Sequence, residues 1–175
     1  MRSTCFYMLI AVICCSALSC RAGELGAGYG REFRGNYNLE QYELAYRYPL
    51  MYSWSGEKGW EIRSSVEGAM AFLREDGGDS SSAARFSIMP QVQIGSQGGM
   101  TRVVLGFGTG VMAGETEFTK HNLGGPFFFN SKLGLRLMFA EHFVVEYDFY
   151  HQSNAGIYNY NAGLNMNMLS VGYLF

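Results

Sequence analysis

Residues 143–153 read FVVEYDFYHQS, and the fold follows from how that stretch is read. Phe143, Val145, Tyr147 and Phe149 alternate with Val144, Glu146, Asp148 and Tyr150, a period of two that marks a strand and not a helix. Continuing the count puts His151 and Ser153 on the same side as the four apolar residues. An imidazole and a hydroxyl therefore share the greasy face, while Glu146 and Asp148 point the other way.

The same period runs through the chain. Seven further segments carry it: 24–33, 39–50, 59–73, 86–95, 101–114, 127–139 and 161–175. No segment sustains a helical period. In 39–50, Tyr42, Leu44, Tyr46 and Tyr48 oppose Gln41, Glu43 and Arg47; in 59–73, Trp60, Ile62, Val66, Met70 and Phe72 oppose Glu61, Arg63, Ser65 and Glu67. The breaks alternate in length. REFRGNYN, REDGGDSSSAAR, ETEFTKHNLGG and NAGIYNY are polar loops, GSQGGM and AEH are tight turns, and MYSWSGEK is intermediate. Long loops at one end and short turns at the other are the plan of an eight-stranded antiparallel outer-membrane β-barrel with both termini in the periplasm.

A soluble barrel would put its apolar residues inside, around a ligand. Here the charged residues at strand midpoints share the opposite parity, and Tyr42, Tyr48, Trp60, Phe72, Phe127, Phe139, Phe143 and Tyr173 fall near strand ends, as membrane-interface girdles do. Eleven extended residues span about 36 Å, or about 27 Å at a tilt of about 40°, which matches an apolar band of about 25 Å. In lipid a sheet can cross only if it closes, because every backbone group must be paired. Eight strands leave a lumen filled by side chains, with Glu146 and Asp148 meeting Lys132 and Arg136 inside. Pro90 lies within the fourth segment, where a bulge or kink is expected because a closed barrel has no edge to hide its missing donor.

Residues 1–22 read as a secretory signal: Arg2, an apolar run from Cys5 to Cys15, then small residues at Ala17, Ser19 and Ala22. The residues before Cys20 match a lipid-attachment site poorly, so ordinary cleavage near Ser19 or Ala22 is expected. The barrel domain then covers residues 23–175. All four cysteines lie in the leader, so the mature chain has no disulfide framework and no thiolate metal site. Removing the leader takes Arg2 and Arg21 from the 13 basic residues and none from the 15 acidic ones, a balance that gives no reason to propose nucleic acid as a partner. His121, His142 and His151 lack metal-ligand spacing, so no metal and no cofactor is expected. The chain ends LSVGYLF, similar to the C-terminal signature, here ending in Phe175, through which outer-membrane barrels engage their insertion machinery.

A serine is a weak nucleophile until a neighbouring base takes its proton. Positions 151 and 153 of one strand put a base and a hydroxyl on one face, about 6.5–7 Å apart along the backbone, within reach of side chains that lean together. Both are the last outward residues before a long loop, at the level of the outer leaflet, where polar groups are cheapest on a lipid-facing strand.

His151-Gln-Ser153-Asn-Ala-Gly and Asn161-Ala-Gly-Leu-Asn165 resemble the HxSNAG and NxGxE blocks of the PagL-type lipid A 3-O-deacylases. The detailed likeness covers about 25 residues of the C-terminal part; length, strand number and leader agree over the whole chain. The resemblance implies an esterase of the bacterial outer membrane that removes a 3-linked acyl chain from lipid A of lipopolysaccharide. Ser153 would be the nucleophile, His151 the base, and Asn154, Gly156 and Asn161 oxyanion donors or supports. For those three, the alternative is plain hairpin-loop chemistry, since Asn and Gly tolerate positive φ. Whether a second copy of the chain joins as a homodimer is left open.

The sequence departs from the family at one place. Its triad acid corresponds here to Asn165, and an amide cannot stabilise an imidazolium by charge; in a serine protease the equivalent change costs about ten-thousandfold in turnover. Asn nevertheless orients the imidazole in Cys-His-Asn hydrolases. Three readings stand: a Ser-His-Asn hydrolase; an acid from elsewhere, with Glu115 or Glu117 better placed than Glu141; or a barrel without catalysis. In the loops, Lys120 and His121 are candidates to meet anionic headgroups.

Overall fold

The structure, a computed structural model, describes residues 23–33, 39–76, 81–119 and 121–175; the leader, and with it the cleavage site, lies outside them. Eight strands form a closed antiparallel barrel: β1 (Glu24–Glu32), β2 (Leu39–Ser55), β3 (Trp60–Glu75), β4 (Ser82–Ser96), β5 (Thr101–Gly114), β8 (Phe127–Phe139), β9 (Phe143–Ser153) and β10 (Leu164–Leu174). Two short strands between β5 and β8, β6 (Glu117–Phe118) and β7 (His121–Asn122), make a small hairpin of their own. The last strand zips to the first from Glu24↔Leu174 to Glu32↔Met166, and reciprocal bonds between Gly23 and Phe175 extend the seam.

Sidedness follows the period of two. Along β9 every odd residue from Phe143 to Ser153 is exposed or half-buried and every even one is buried. Outward faces of the other strands carry Leu44, Met70, Phe72, Ile88, Leu105, Leu133, Leu135, Leu169 and Val171, all exposed. A belt of that composition is stable only against hydrocarbon, since a water-soluble chain rarely presents so large a continuous apolar surface. Rings gather at the rims: Phe143 packs on Phe139 and Tyr173 at the short-turn end, and Tyr29 on Tyr42 at the long-loop end.

Side chains occupy the lumen, which has two halves. Toward the termini it is ionic. Arg47 reaches Glu67 at 2.7 Å and Glu146 at 2.8 Å; Lys132 lies 3.0 Å from both Glu67 and Glu146; and Arg136 pairs with Glu146 at 3.0 Å and with Glu24. Toward the loops Leu39, Leu73, Met112, Phe128, Leu164 and Met166 are buried together around the polar Gln41, Arg85 and Gln152, and Phe118 and Leu123 of the β6–β7 loop close the mouth. The opposite parity of the charged strand midpoints fits a polar interior, and an apolar cluster stands beside it. Period-two counting assigns a face but not its chemistry where inward and outward residues are both apolar, as at the loop ends of β2, β3 and β10.

Two expectations are corrected. Pro90 makes no bulge: it stays in register with Val66 of β3, and on the β5 side the ladder lapses at Met89 and Pro90 and resumes on the same register, Ile88↔Thr109 and Gln91↔Gly106. The missing N–H costs one rung, not a residue. The irregularity lies instead in β2, where the register shifts between Pro49 and Ser53 and the strand then runs on to Ser55. The intermediate break is therefore a strand extension followed by a tight turn at 56–59. At the other ends, β4 begins at Ser82, ahead of the expected Phe86, and β10 begins at Leu164, leaving Asn161 in the loop.

Candidate active site

Asn165, His151 and Ser131 share one rung across β10, β9 and β8, and Ser153 lies opposite Phe129 two positions nearer the loops. His151, Ser153 and Asn165 all belong to the outward parity. His151 is exposed, and Ser153 and Asn165 are half-buried.

Nδ1 of His151 lies 2.9 Å from Oδ1 of Asn165. A carbonyl oxygen only accepts, so Nδ1 carries the proton, and in the neutral ring Nε2 then holds the lone pair. That is the tautomer a general base needs, with Nε2 as the proton acceptor. The amide fixes the ring's plane as a carboxylate would, without its charge. Below the pair the wall turns apolar: Tyr147 packs on Phe149 and Phe149 on Phe33, while the Tyr147 hydroxyl donates to Asn167 Oδ1 at 3.0 Å. The polar groups thus top an apolar surface.

The chain leaves Ser153 through a turn with Ala155 at φ 52° and Gly156 at φ 80°. Its hub is Asn154, 1% exposed. The side-chain NH2 of Asn154 donates to the carbonyls of Leu123 (2.9 Å) and Tyr160 (2.6 Å), and its Oδ1 accepts from the N–H of Gly156 (2.9 Å). Its own N–H donates to Oδ1 of Asn161 at 3.0 Å. The donors of Asn154 and Gly156 are thus spent on holding the loop, which leaves neither free for an oxyanion in this arrangement. Asn161 enters the network through Oδ1 and keeps its NH2 outside it.

Sequence reasoning missed the loop that supports this one. Tyr158 receives a hydrogen bond from the N–H of Phe127 at 3.1 Å, and the Ala162 N–H donates to the carbonyl of Asn122 at 3.3 Å. No spacing pattern announces such contacts, because they join two irregular segments. His121, expected to meet headgroups, is instead 2% exposed inside the mouth; Lys120 lies outside the described residues. Of the substitute acids, Glu115 and Glu117 are exposed beside the β6–β7 hairpin, and Glu141 sits in the tight turn at the opposite end, while the group on Nδ1 of His151 is Asn165. Among the described residues no group of three His, Cys, Asp or Glu converges on a metal-sized space.

A family model described as Lipid A 3-O-deacylase (PagL) matches residues 40–174. Among solved structures, the chain is similar to the crystal structure of the outer membrane enzyme PagL, with a TM-score of 0.68 and 20% identity over 85% of this chain and 97% of that one. It is also similar to the N-terminal β-barrel domain of Pseudomonas aeruginosa OprF, with a TM-score of 0.59 and 20% identity over 88% and 97%. The Yersinia pestis outer membrane protein Ail in nanodiscs gives 0.53 and 15% over 88% and 99%. At these identities the structural likenesses speak for the fold alone. No curated protein sequence matches the chain.

Proposed function

The chain belongs to the lipid A 3-O-deacylase (PagL) family, and from that premise we propose that it hydrolyses an ester-linked acyl chain of lipid A, the 3-O-linked one, with Ser153 as nucleophile and His151 as base. The barrel resides in the bacterial outer membrane, and its family is one of ester hydrolases. The observation that carries the reading is the 2.9 Å bond from His151 to Asn165 on the lipid-facing wall, two positions from an outward serine.

Nε2 of His151 takes the proton as Ser153 Oγ attacks the acyl carbonyl. The tetrahedral oxyanion collapses, the sugar oxygen leaves with the proton from His151, and an acyl-serine remains. Water, deprotonated by the same nitrogen, releases the fatty acid. Asn165 accepts from Nδ1–H throughout and so holds the ring for both proton transfers. It offers the imidazolium a dipole and no counter-charge, so turnover below that of a carboxylate-bearing relative is expected. The NH2 of Asn161 is the best oxyanion donor of the three candidates, with Asn154 and Gly156 as scaffold. An ester held in the outer leaflet meets this array from the side, with no need to leave the membrane. The C-terminal Phe175 belongs to the same reading as the mark by which insertion machinery recognises the barrel.

The amide at position 165 also favours a second reading, a barrel that keeps the shape and has lost the chemistry. Mass spectrometry of lipid A from cells expressing the wild type and Ser153→Ala decides between them. Loss of one acyl chain with the wild type alone supports the hydrolase; identical lipid A from both ends it.

A further inference from the structure

The β6–β7 hairpin drops an imidazole into the barrel's mouth. Nε2 of His121 lies 2.9 Å from the carbonyl oxygen of Gly163, and Nδ1 lies 3.2 Å from Oε1 of Glu32 at the loop end of β1. Both side chains are 1% exposed. Gly163 stands two residues before Asn165 at φ 67°, and a Cβ built on it would come within 3.4 Å of Cε1 of His151. The carbonyl held by His121 therefore belongs to the peptide that leads into Asn165 and borders the imidazole.

We infer that His121 is a positioning residue: backed by Glu32, it clamps the Gly163 carbonyl and so keeps Asn165 in line with Nδ1 of His151. The inference rests on the proposed roles of His151 and Asn165. Three physical points carry it. A part-buried carbonyl needs a donor, and the Nε2–H of the buried His121 supplies one. A buried carboxylate is costly without a partner, and the imidazole of His121, with Nδ1 3.2 Å from Oε1 of Glu32, is the side chain set against it. Finally, Gly163 immediately precedes β10, so a few tenths of an ångström there shift Asn165 directly, and geometric errors of that kind cost turnover steeply.

The alternative is that His121 only plugs the mouth, as Phe118 and Leu123 do. The two differ in what they predict for the imidazole of His151. In detergent-purified protein, histidine-selective 15N NMR reads the tautomer of His151, while lipid A turnover gives kcat and KM and heat-modifiable gel mobility reports the closed barrel. His121→Ala should leave the barrel folded, lower kcat by about 10-fold to 100-fold with little change in KM, and turn the single Nδ1–H tautomer of His151 into a mixture. His121→Gln, whose Nε2 amide can reach the same carbonyl, should restore the tautomer and most of the rate. An unchanged His151 tautomer in His121→Ala overturns the clamp, as does a loss in rate that Gln does not repair. Should wild type and Ser153→Ala prove equally inert toward lipid A, the esterase reading fails, and the 15N spectrum still decides whether His121 sets the ring.

Discussion

Asn165 and His151 face each other across one rung of the β9–β10 ladder, with the amide oxygen 2.9 Å from Nδ1. On the proposed mechanism the amide does the orienting part of a triad acid's work and omits the electrostatic part. Asn165→Ala should therefore lower kcat by at least about 100-fold, whereas Asn165→Glu, which keeps an acceptor in place and adds charge, should match or exceed the wild type. Steady-state turnover of purified variants checks this. An active Asn165→Ala protein would remove that residue from the site.

Asn154 ties three segments together through Leu123, Tyr160 and Gly156. Asn154→Ala leaves the buried Leu123 carbonyl without its partner, worth about 1–3 kcal/mol, and releases the part-buried Tyr160 carbonyl and Gly156 N–H. The expected result is local: faster hydrogen exchange and protease cleavage across 154–163, with the barrel still closed. Asn154→Asp should fare no better, since a carboxylate would face the same two carbonyls.

Arg47 is held by Glu67 and Glu146 inside the wall. Removing one partner strands the others, so Arg47→Ala should cost about 3–5 kcal/mol in urea unfolding, while a double change of Arg47 and Glu146 to Met should recover much of that loss. A single variant as stable as the wild type would mean that water already screens the network.

Leu133 is exposed on the outer wall near the middle of β8. Leu133→Arg should destabilise the protein in bilayers by about 2–4 kcal/mol, the range for a cation at midplane depth on a barrel's lipid face. The same substitution near the outer rim, at Phe129, should cost less. Equal effects at both heights would argue against the assigned depth.

Much of this architecture is legible in the alternation of residues such as Phe143 to Ser153, because a strand with one face in lipid must repeat every two residues. That rule places His151, Ser153 and Asn165 outside and Glu146 inside. It is blind to register, and so the two-residue shift in β2 and the uninterrupted passage of Pro90 could not be read from it. It is also blind to contacts between loops. Asn154 and Gly156 read equally well as turn residues or as donors, and only the positions of Leu123, distant in sequence, and of Tyr160 across the loop show the hydrogen bonds to be occupied. His121 reads as a solvated loop residue because nothing local signals that its hairpin folds inward.

With the lumen occupied by side chains and His151 on the outward wall, the proposed encounter between enzyme and ester takes place in a plane. The effective concentration is then the mole fraction of substrate among its neighbouring lipids, and the bulk amount in the tube is secondary. On that proposal, diluting the leaflet with an inert amphiphile should slow the reaction even when the total substrate is unchanged, and the released fatty acid should stay beside the site as its first competitor.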